Sequence, residues 1–357
     1  MARVLLLLLA LLLATMSGAS AAEKGGPDAM VSLPDGVELP IRVRVAFRVL
    51  NVLRIAEVAG QGRFYVEVTQ RWNDPRLHFD AVARGTGRVD RVGQDADAYL
   101  KTIWIPALSV DNQIGERESR TAAVSTYANG DVVFIERYES NFRFRMNMDA
   151  FPFDTQDLTL EFSLPRYAKQ DAILIATETD RQLSGIEQAL AVVDWKPVRL
   201  RFANEEAMGW NARSFSRLNA TITLTRQSER YLLRIFIPIM AVLAASIFVL
   251  WAPGLTEKDK GTQIFSSLLA LAALSFTFEA SFPGAISLNT PVAQIISLGY
   301  LYLVIVLLFD AIISTGCRRP HSRYFALCIA LRREFRWALP ALMAVVSAGA
   351  AVRAIPG

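Results

Sequence analysis

The sequence predicts an N-terminal all-β sandwich, exported from the cytoplasm, followed by a four-helix α-helical transmembrane domain. The partition of charge is the first observation behind this. The chain has 357 residues, with 38 Lys and Arg and 34 Asp and Glu. From Gly261 to Cys317 there is no Lys or Arg, and the only acids are Glu279 and Asp310. A water-soluble part therefore precedes a lipid-soluble one. The second observation is the change of period, from short alternating segments to long apolar runs.

Residues 1–22 read as a secretory leader. Arg3 supplies the positive start, Val4 to Ala14 a short apolar core, and Ala19-Ser20-Ala21 a small-residue cleavage pattern. The apolar run is too short to cross a hydrocarbon core of roughly 30 Å. Residues 23–230 form the exported domain. Strands are expected over Phe64–Trp72, Asp131–Arg137, Asn141–Met148, Asp157–Ser163 and Ala220–Thr225. Asn129-Gly130-Asp131 marks a hairpin turn. Many short strands in one domain point to two packed sheets.

Residues 231–357 form the membrane domain, with helices expected at about 231–251, 262–282, 292–314 and 335–352. At 1.5 Å per residue the first three cross a bilayer, and the fourth is shorter. Arg318, Arg319, Arg323, Arg332, Arg333 and Arg336 crowd the stretch between the last two spans, and Lys258 and Lys260 lie between the first two. Both connections are expected on the cytoplasmic side. That places the sandwich outside, as the leader also requires. Pro238 lies inside the first span, where a missing N–H predicts a kink.

Several function classes find no support. The net charge of +4 comes without a basic, aromatic-interleaved stripe, so no nucleic-acid partner is expected. Cys317 and Cys328 are the only cysteines, they have no His or carboxylate cluster nearby, and no metal site is expected. The exported part contains no cysteine and hence no disulfide. His78 is its only histidine, and it shows neither a Gly-rich phosphate loop nor a nucleophile motif. No enzyme activity and no cofactor are expected.

The order of motifs resembles the pentameric ligand-gated ion channel, or Cys-loop receptor, superfamily in its bacterial form. Trp72-Asn73-Asp74-Pro75-Arg76-Leu77 resembles the family's Trp-x-Asp-x-Arg-Leu segment. Trp104-Ile105-Pro106, followed by Asn112, resembles its first binding loop. Phe151-Pro152-Phe153-Asp154 is similar to the core of its signature loop, and Arg226, Tyr231 and Pro238 to the junction with the first helix. The resemblance covers nearly all of residues 40–352, but the loop cysteines of the animal members are missing.

In the second span Thr262, Ser266, Leu269, Ala273 and Phe276 recur at intervals of four and three. They share one helix face. Spacing alone fits ordinary helix packing as well as a water-filled lumen. The resemblance implies that these five residues line a pore, with Leu269 and Phe276 as apolar constrictions. Glu257 and Asp259 then frame the cytoplasmic mouth and Glu279 the outer one. Carboxylate rings favour cations. The Asp259-Lys260 pair resembles that of cation-selective relatives, with Lys260 turned back into the protein, whereas Lys258 opposes this reading.

The resemblance also implies how the domains couple. Pro152 and Phe153 form a stiff tip that packs on the outer loop near Pro283, with Asp154 and Arg226 paired beneath it. Asp310, an acid inside a span, is a functional candidate in its own right. A ligand site is implied between neighbouring subunits, with Trp104, Tyr167 and Trp210 as aromatic faces. Trp104 serves equally well as sandwich core, and Arg166 would repel an amine. An anion, a proton or another small metabolite remains open. The expected whole is a homopentameric channel in a bacterial inner membrane with a periplasmic domain, probed by a small ligand or proton, passing inorganic ions and surrounded by lipid. The alternative is a membrane-anchored sensor that conducts nothing.

Overall fold

The computed structural model describes residues 30–34, 36–209, 213–252, 254–282, 290–317 and 325–353. The leader at 1–22, Trp210, Pro283 and Arg318, Arg319 and Arg323 lie outside the described residues.

The strands are β1 (Ile41–Ala56), β2 (Gln61–Asn73), β3 (Arg88–Val92), β4 (Ser109–Val110), β5 (Gln113–Tyr127), β6 (Asp131–Arg143), β7 (Thr155–Ser163), β8 (Ala172–Ile175), β9 (Gly185–Ile186), β10 (Trp195–Met208) and β11 (Ser214–Arg226). One sheet runs β3-β5-β6-β2-β1-β8, with β9 also on β1, and the other runs β10-β11-β7-β4. Inward and outward residues alternate along β6 and β7, the period-2 pattern of half-buried strands. The two sheets close on a core that includes Phe47, Phe64, Phe142, Phe162 and Trp104. Phe47 and Phe162 meet edge to face across it, with ring centroids 5.3 Å apart.

Two turns show why the strands pair where they do. Gly130 sits at φ 84° between β5 and β6, and a Cβ there would lie 2.6 Å from the Asp74 carbonyl oxygen. Only glycine satisfies both conditions. At the other end of the sheet Gly60 accepts a hydrogen bond from the Phe144 N–H at 2.7 Å. This ties the β1–β2 turn to the chain leaving β6. The strand expected over Asn141–Met148 is thereby corrected. Only Asn141 to Arg143 pair with β2, and the remainder leaves the sheet to approach the membrane domain.

The membrane helices are α5 (Ile237–Trp251), α6 (Glu257–Ser281), α7 (Pro291–Cys317) and α8 (Phe325–Arg353), preceded by four short helices counted α1 (Ala81–Arg84), α2 (Gln94–Leu100), α3 (Glu178–Gln182) and α4 (Glu229–Tyr231). Among the described residues, four segments are long and apolar enough to cross a membrane, including one running Glu229–Trp251. Just before Pro238, residues Leu232–Phe236 form a π-helical turn, and Pro238 falls in the first turn of α5. Pro238 has no N–H to return, and a wider turn just before it absorbs the missing bond. The second helix begins at Glu257, five residues before the expected start, because Thr256 caps it. The fourth begins ten residues before the expected start. Its first turns carry Arg332 and Arg333 in continuous helix below the apolar stretch.

Candidate functional site

The second membrane helix, α6, starts on a capping box. The Thr256 hydroxyl accepts the Asp259 N–H at 3.2 Å, and Asp259 Oδ2 accepts the Thr256 N–H at 3.3 Å and its hydroxyl at 2.6 Å. From this start the helix has two unlike faces. Lys260, Ile264, Ser267, Leu271 and Phe278 are buried against the other helices. Thr262, Ser266, Leu269, Ala273 and Phe276 are exposed. Leu269 is 73 % and Phe276 74 % exposed, whereas Ile264 is 0 % exposed. The periodicity therefore resolves into a buried stripe and an uncovered one, and the five residues fall together on the uncovered one. Along it hydroxyls at Thr262 and Ser266 give way to apolar side chains. Thr262 Oγ1 donates to the Lys258 carbonyl one turn below, at 2.9 Å, and Lys258 is itself exposed.

Of the charged residues at this end, Glu257, Lys258 and Asp259 are exposed, and Glu279 is exposed near the opposite end. Lys260 is 5 % exposed. Its Nζ donates to Asp310 Oδ1 on α7 at 2.7 Å. The pair joins the base of α6 to α7. The sequence marks Asp310 as an unusual acid but does not name its partner, because 50 residues separate the two.

The junction with the sandwich lies at the other end of α6. Arg226, the last residue of β11, is fully enclosed. Its Nε donates to Asp154 Oδ1 at 2.7 Å and Nη2 to Asp154 Oδ2 at 3.2 Å, a two-pronged pair. Nη1 donates to Glu57 at 3.0 Å and to the Tyr231 hydroxyl at 3.3 Å. The guanidinium also lies over the rings of Trp195 at 4.2 Å and Phe151 at 4.8 Å. Burial alone would lower the Arg226 pKa, but the hydrogen bond and charge of Asp154, with Glu57 and Tyr231 behind them, raise it overall. The group stays charged in a nearly dry site.

Phe151 is the apolar half of this joint. It packs on Tyr231 at 5.1 Å, Phe282 at 5.0 Å and Phe278 at 5.8 Å. Phe153 reaches Phe236 at 6.4 Å, and Pro152 is buried. The expected contact of Pro152 and Phe153 with the loop near Pro283 lies outside the described residues. Phe151, the first residue of the signature-like loop, makes most of the ring contacts with the ends of α4 and α6. Phe278 and Phe282 carried a signal, since aromatics at the outer end of a span lie at the height of the sandwich. Glu57 carried none.

Trp104, expected as a ligand face, is 0 % exposed. Its Nε1 donates to the Tyr167 hydroxyl at 2.9 Å, and its ring meets Trp72 edge to face at 6.1 Å. It is core, because a side chain of this size at the sheet junction is the largest available filler. Tyr167 is only partly buried and lines a cleft of about 590 Å³. Lys101, Arg117, Arg120 and Arg166 line the cleft on the basic side, and Asp97 and Glu136 on the acidic side. Glu136 is buried and binds both Arg117, at 2.5 Å, and Arg120. No group of His, Cys, Asp and Glu among the described residues is arranged to hold a metal ion.

A β-sandwich seated by a buried Arg–Asp pair on four membrane helices, one of which shows an uncovered polar-to-apolar stripe, is the architecture of a membrane receptor-channel. The family model of the neurotransmitter-gated ion-channel ligand binding domain matches residues 32–228, and the chain belongs to the pentameric ligand-gated ion channels. This family is not one of enzymes. A proton-gated ion channel of Gloeobacter violaceus is 24 % identical over 267 residues, 72 % of this chain and 69 % of that protein. The glycine receptor subunit beta of Rattus norvegicus is 25 % identical over 256 residues, 70 % of this chain and half of the receptor. A pH-sensitive chloride channel of Drosophila melanogaster is 23 % identical over 257 residues, 69 % of this chain and 48 % of that protein. The matched region thus spans only about half the length of the animal relatives.

Proposed function

We propose that the chain is one subunit of a homopentameric, cation-selective channel of a bacterial inner membrane, gated by a small ligand or by protons at a periplasmic sandwich. The observation that carries this reading is the uncovered stripe of α6. Thr262 and Ser266 bear exposed hydroxyls, and Leu269 and Phe276 lie above them, so a ring of such helices would enclose a wet throat closed by apolar rings. Cation selectivity is supported by the base of α6. With Lys260 paired to Asp310, the exposed charges there are the carboxylates Glu257 and Asp259 against the single ammonium of Lys258.

Binding between sandwiches would act on the α6 ring through Phe151 and the Arg226–Asp154 joint. It needs only a higher affinity for the open arrangement than for the closed one. The basic surplus of the cleft beside Tyr167 favours an anionic or neutral ligand over an amine. The Gloeobacter relative's description makes protons a candidate signal.

Lys258 favours a second reading. It is exposed one turn below Thr262, and its ring would favour anions, as the description of the Drosophila relative also suggests. Recording from purified protein in planar bilayers, in a sodium chloride gradient and with pH steps on the sandwich side, tests both. Cation selectivity is expected. A chloride reversal potential would transfer the mouth to Lys258. Absence of current under every ligand and pH condition would support the non-conducting sensor instead.

A further inference from the structure

The established architecture assigns no role to Asp310. It lies on α7, within a segment that crosses the membrane, and its side chain is largely buried. Its partner is the Lys260 ammonium, at 2.7 Å. Lys260 in turn is the one charged residue of the Glu257–Lys260 run that does not face outward. It lies three residues from the start of α6, about 4.5 Å along the axis, so its four-carbon stem is long enough to carry the charge to the aqueous mouth. What keeps it inside is the carboxylate.

We propose that Asp310 is a selectivity-determining positioning residue: it holds Lys260 behind the pore helix and so removes one positive charge per subunit from the path of the ion. The inference rests on the channel reading given above and adds a residue from outside the pore-lining helix. The physical argument is one of uncompensated charge. An ammonium among apolar side chains is strongly unfavourable without its partner, and lysine has the flexible stem to escape. Loss of Asp310 sends Lys260 to the nearest water, the mouth. There it joins Lys258 and cancels the surplus of Glu257 and Asp259. The same pair ties the base of α6 to α7.

The test is the reversal potential of full-length channels in a sodium chloride gradient. Asp310→Asn is expected to lower the sodium-to-chloride permeability ratio severalfold, and Asp310→Glu to leave it near wild type. Lys260→Gln should conduct with the wild-type reversal potential, since its charge never faces the ion. The double variant Lys260→Gln/Asp310→Asn should return the ratio to wild type. A merely structural role would alter expression or conductance in all of these without this pattern of reversal potentials. Conducting Asp310→Asn channels with an unchanged ratio, or a Lys260→Gln channel with a shifted one, would overturn the proposal while leaving the channel reading intact. A silent wild type would overturn the channel reading.

A second measurement does not depend on conduction. A membrane-impermeant amine-reactive ester applied from the cytoplasmic side, read by peptide mass, should label Lys258 but not Lys260 in the wild type, and both in Asp310→Asn. Labelling of Lys260 in the wild type would overturn the sequestration itself.

Discussion

At the scale of single residues, the two faces of α6 make opposite predictions from chemically similar changes. Leu269 is exposed and Ile264 is enclosed on the same helix. Leu269→Ser should wet the apolar ring and raise resting current or ligand sensitivity, with little loss of thermal stability. Ile264→Ser places a hydroxyl in a packed site and should cost about 2–4 kcal/mol, seen as a lower melting temperature in detergent. If Ile264→Ser alone changes gating, the lumen lies on the other side of the helix. The Arg226 site predicts a different outcome. Removing Asp154 leaves a buried guanidinium with Glu57, the Tyr231 hydroxyl, the Met148 sulfur and the surrounding rings, and Asp154→Ala should destabilise the folded chain by about 3 kcal/mol. The sequence showed both partners of that pair because a motif resemblance named them. It could not show Glu57, which comes from a turn 169 residues away. Trp104 stayed open between ligand face and core for a related reason. Aromatic side chains serve binding and packing alike, and only burial separates the two.

At the scale of elements, β6 carries a titration that bears on the whole sandwich. Tyr138 points inward from β6 with the Arg117 guanidinium over its ring at 4.7 Å, and its hydroxyl has no hydrogen-bond partner among the described residues. Burial pushes its pKa from 10.0 up to about 12, against the opposing charge of Arg117. The native state thus holds this proton more tightly than the unfolded chain does. The stability it represents is complete below pH 10 and is lost as pH rises toward 12. Tyr138→Phe should remove that part of the alkaline unfolding, measured by fluorescence or circular dichroism against pH. Elements with a strict period were legible: β2, β6, β7 and β11 all contain the strands expected from alternation. Elements whose limits depend on a cap or a distant contact were not. The start of α6 was set by Thr256 and Asp259, which in sequence look like part of a charged turn. The end of β6 was set by the bond from Phe144 to Gly60.

At the scale of the whole molecule, the exposed stripe of α6 is unpartnered within the single chain. The proposed ring would turn it toward water between copies of the chain. Native mass measurement in mild detergent should give five chains, the number following from the family. A stable monomer or dimer under conditions where the sandwich is folded would contradict this. The charge partition made the two-part architecture legible from the sequence, and the arginine-rich connection carries the expectation of its orientation. Neither could show how the two parts are fastened.

That fastening sets the geometry of any opening. Lys260 is bonded to α7 at one end of α6, and Phe278 meets Phe151 at the other, so the helix is a lever hinged at its base and pushed at its tip. Leu269 lies about 13.5 Å above the hinge and Phe278 about 27 Å, at 1.5 Å per residue. A sideways push on the aromatic joint is therefore halved by the time it reaches Leu269. In the proposed pore, displacing Leu269 by about 2 Å requires roughly 4 Å at the joint, and a helix hinged this way trades distance for force at that ring.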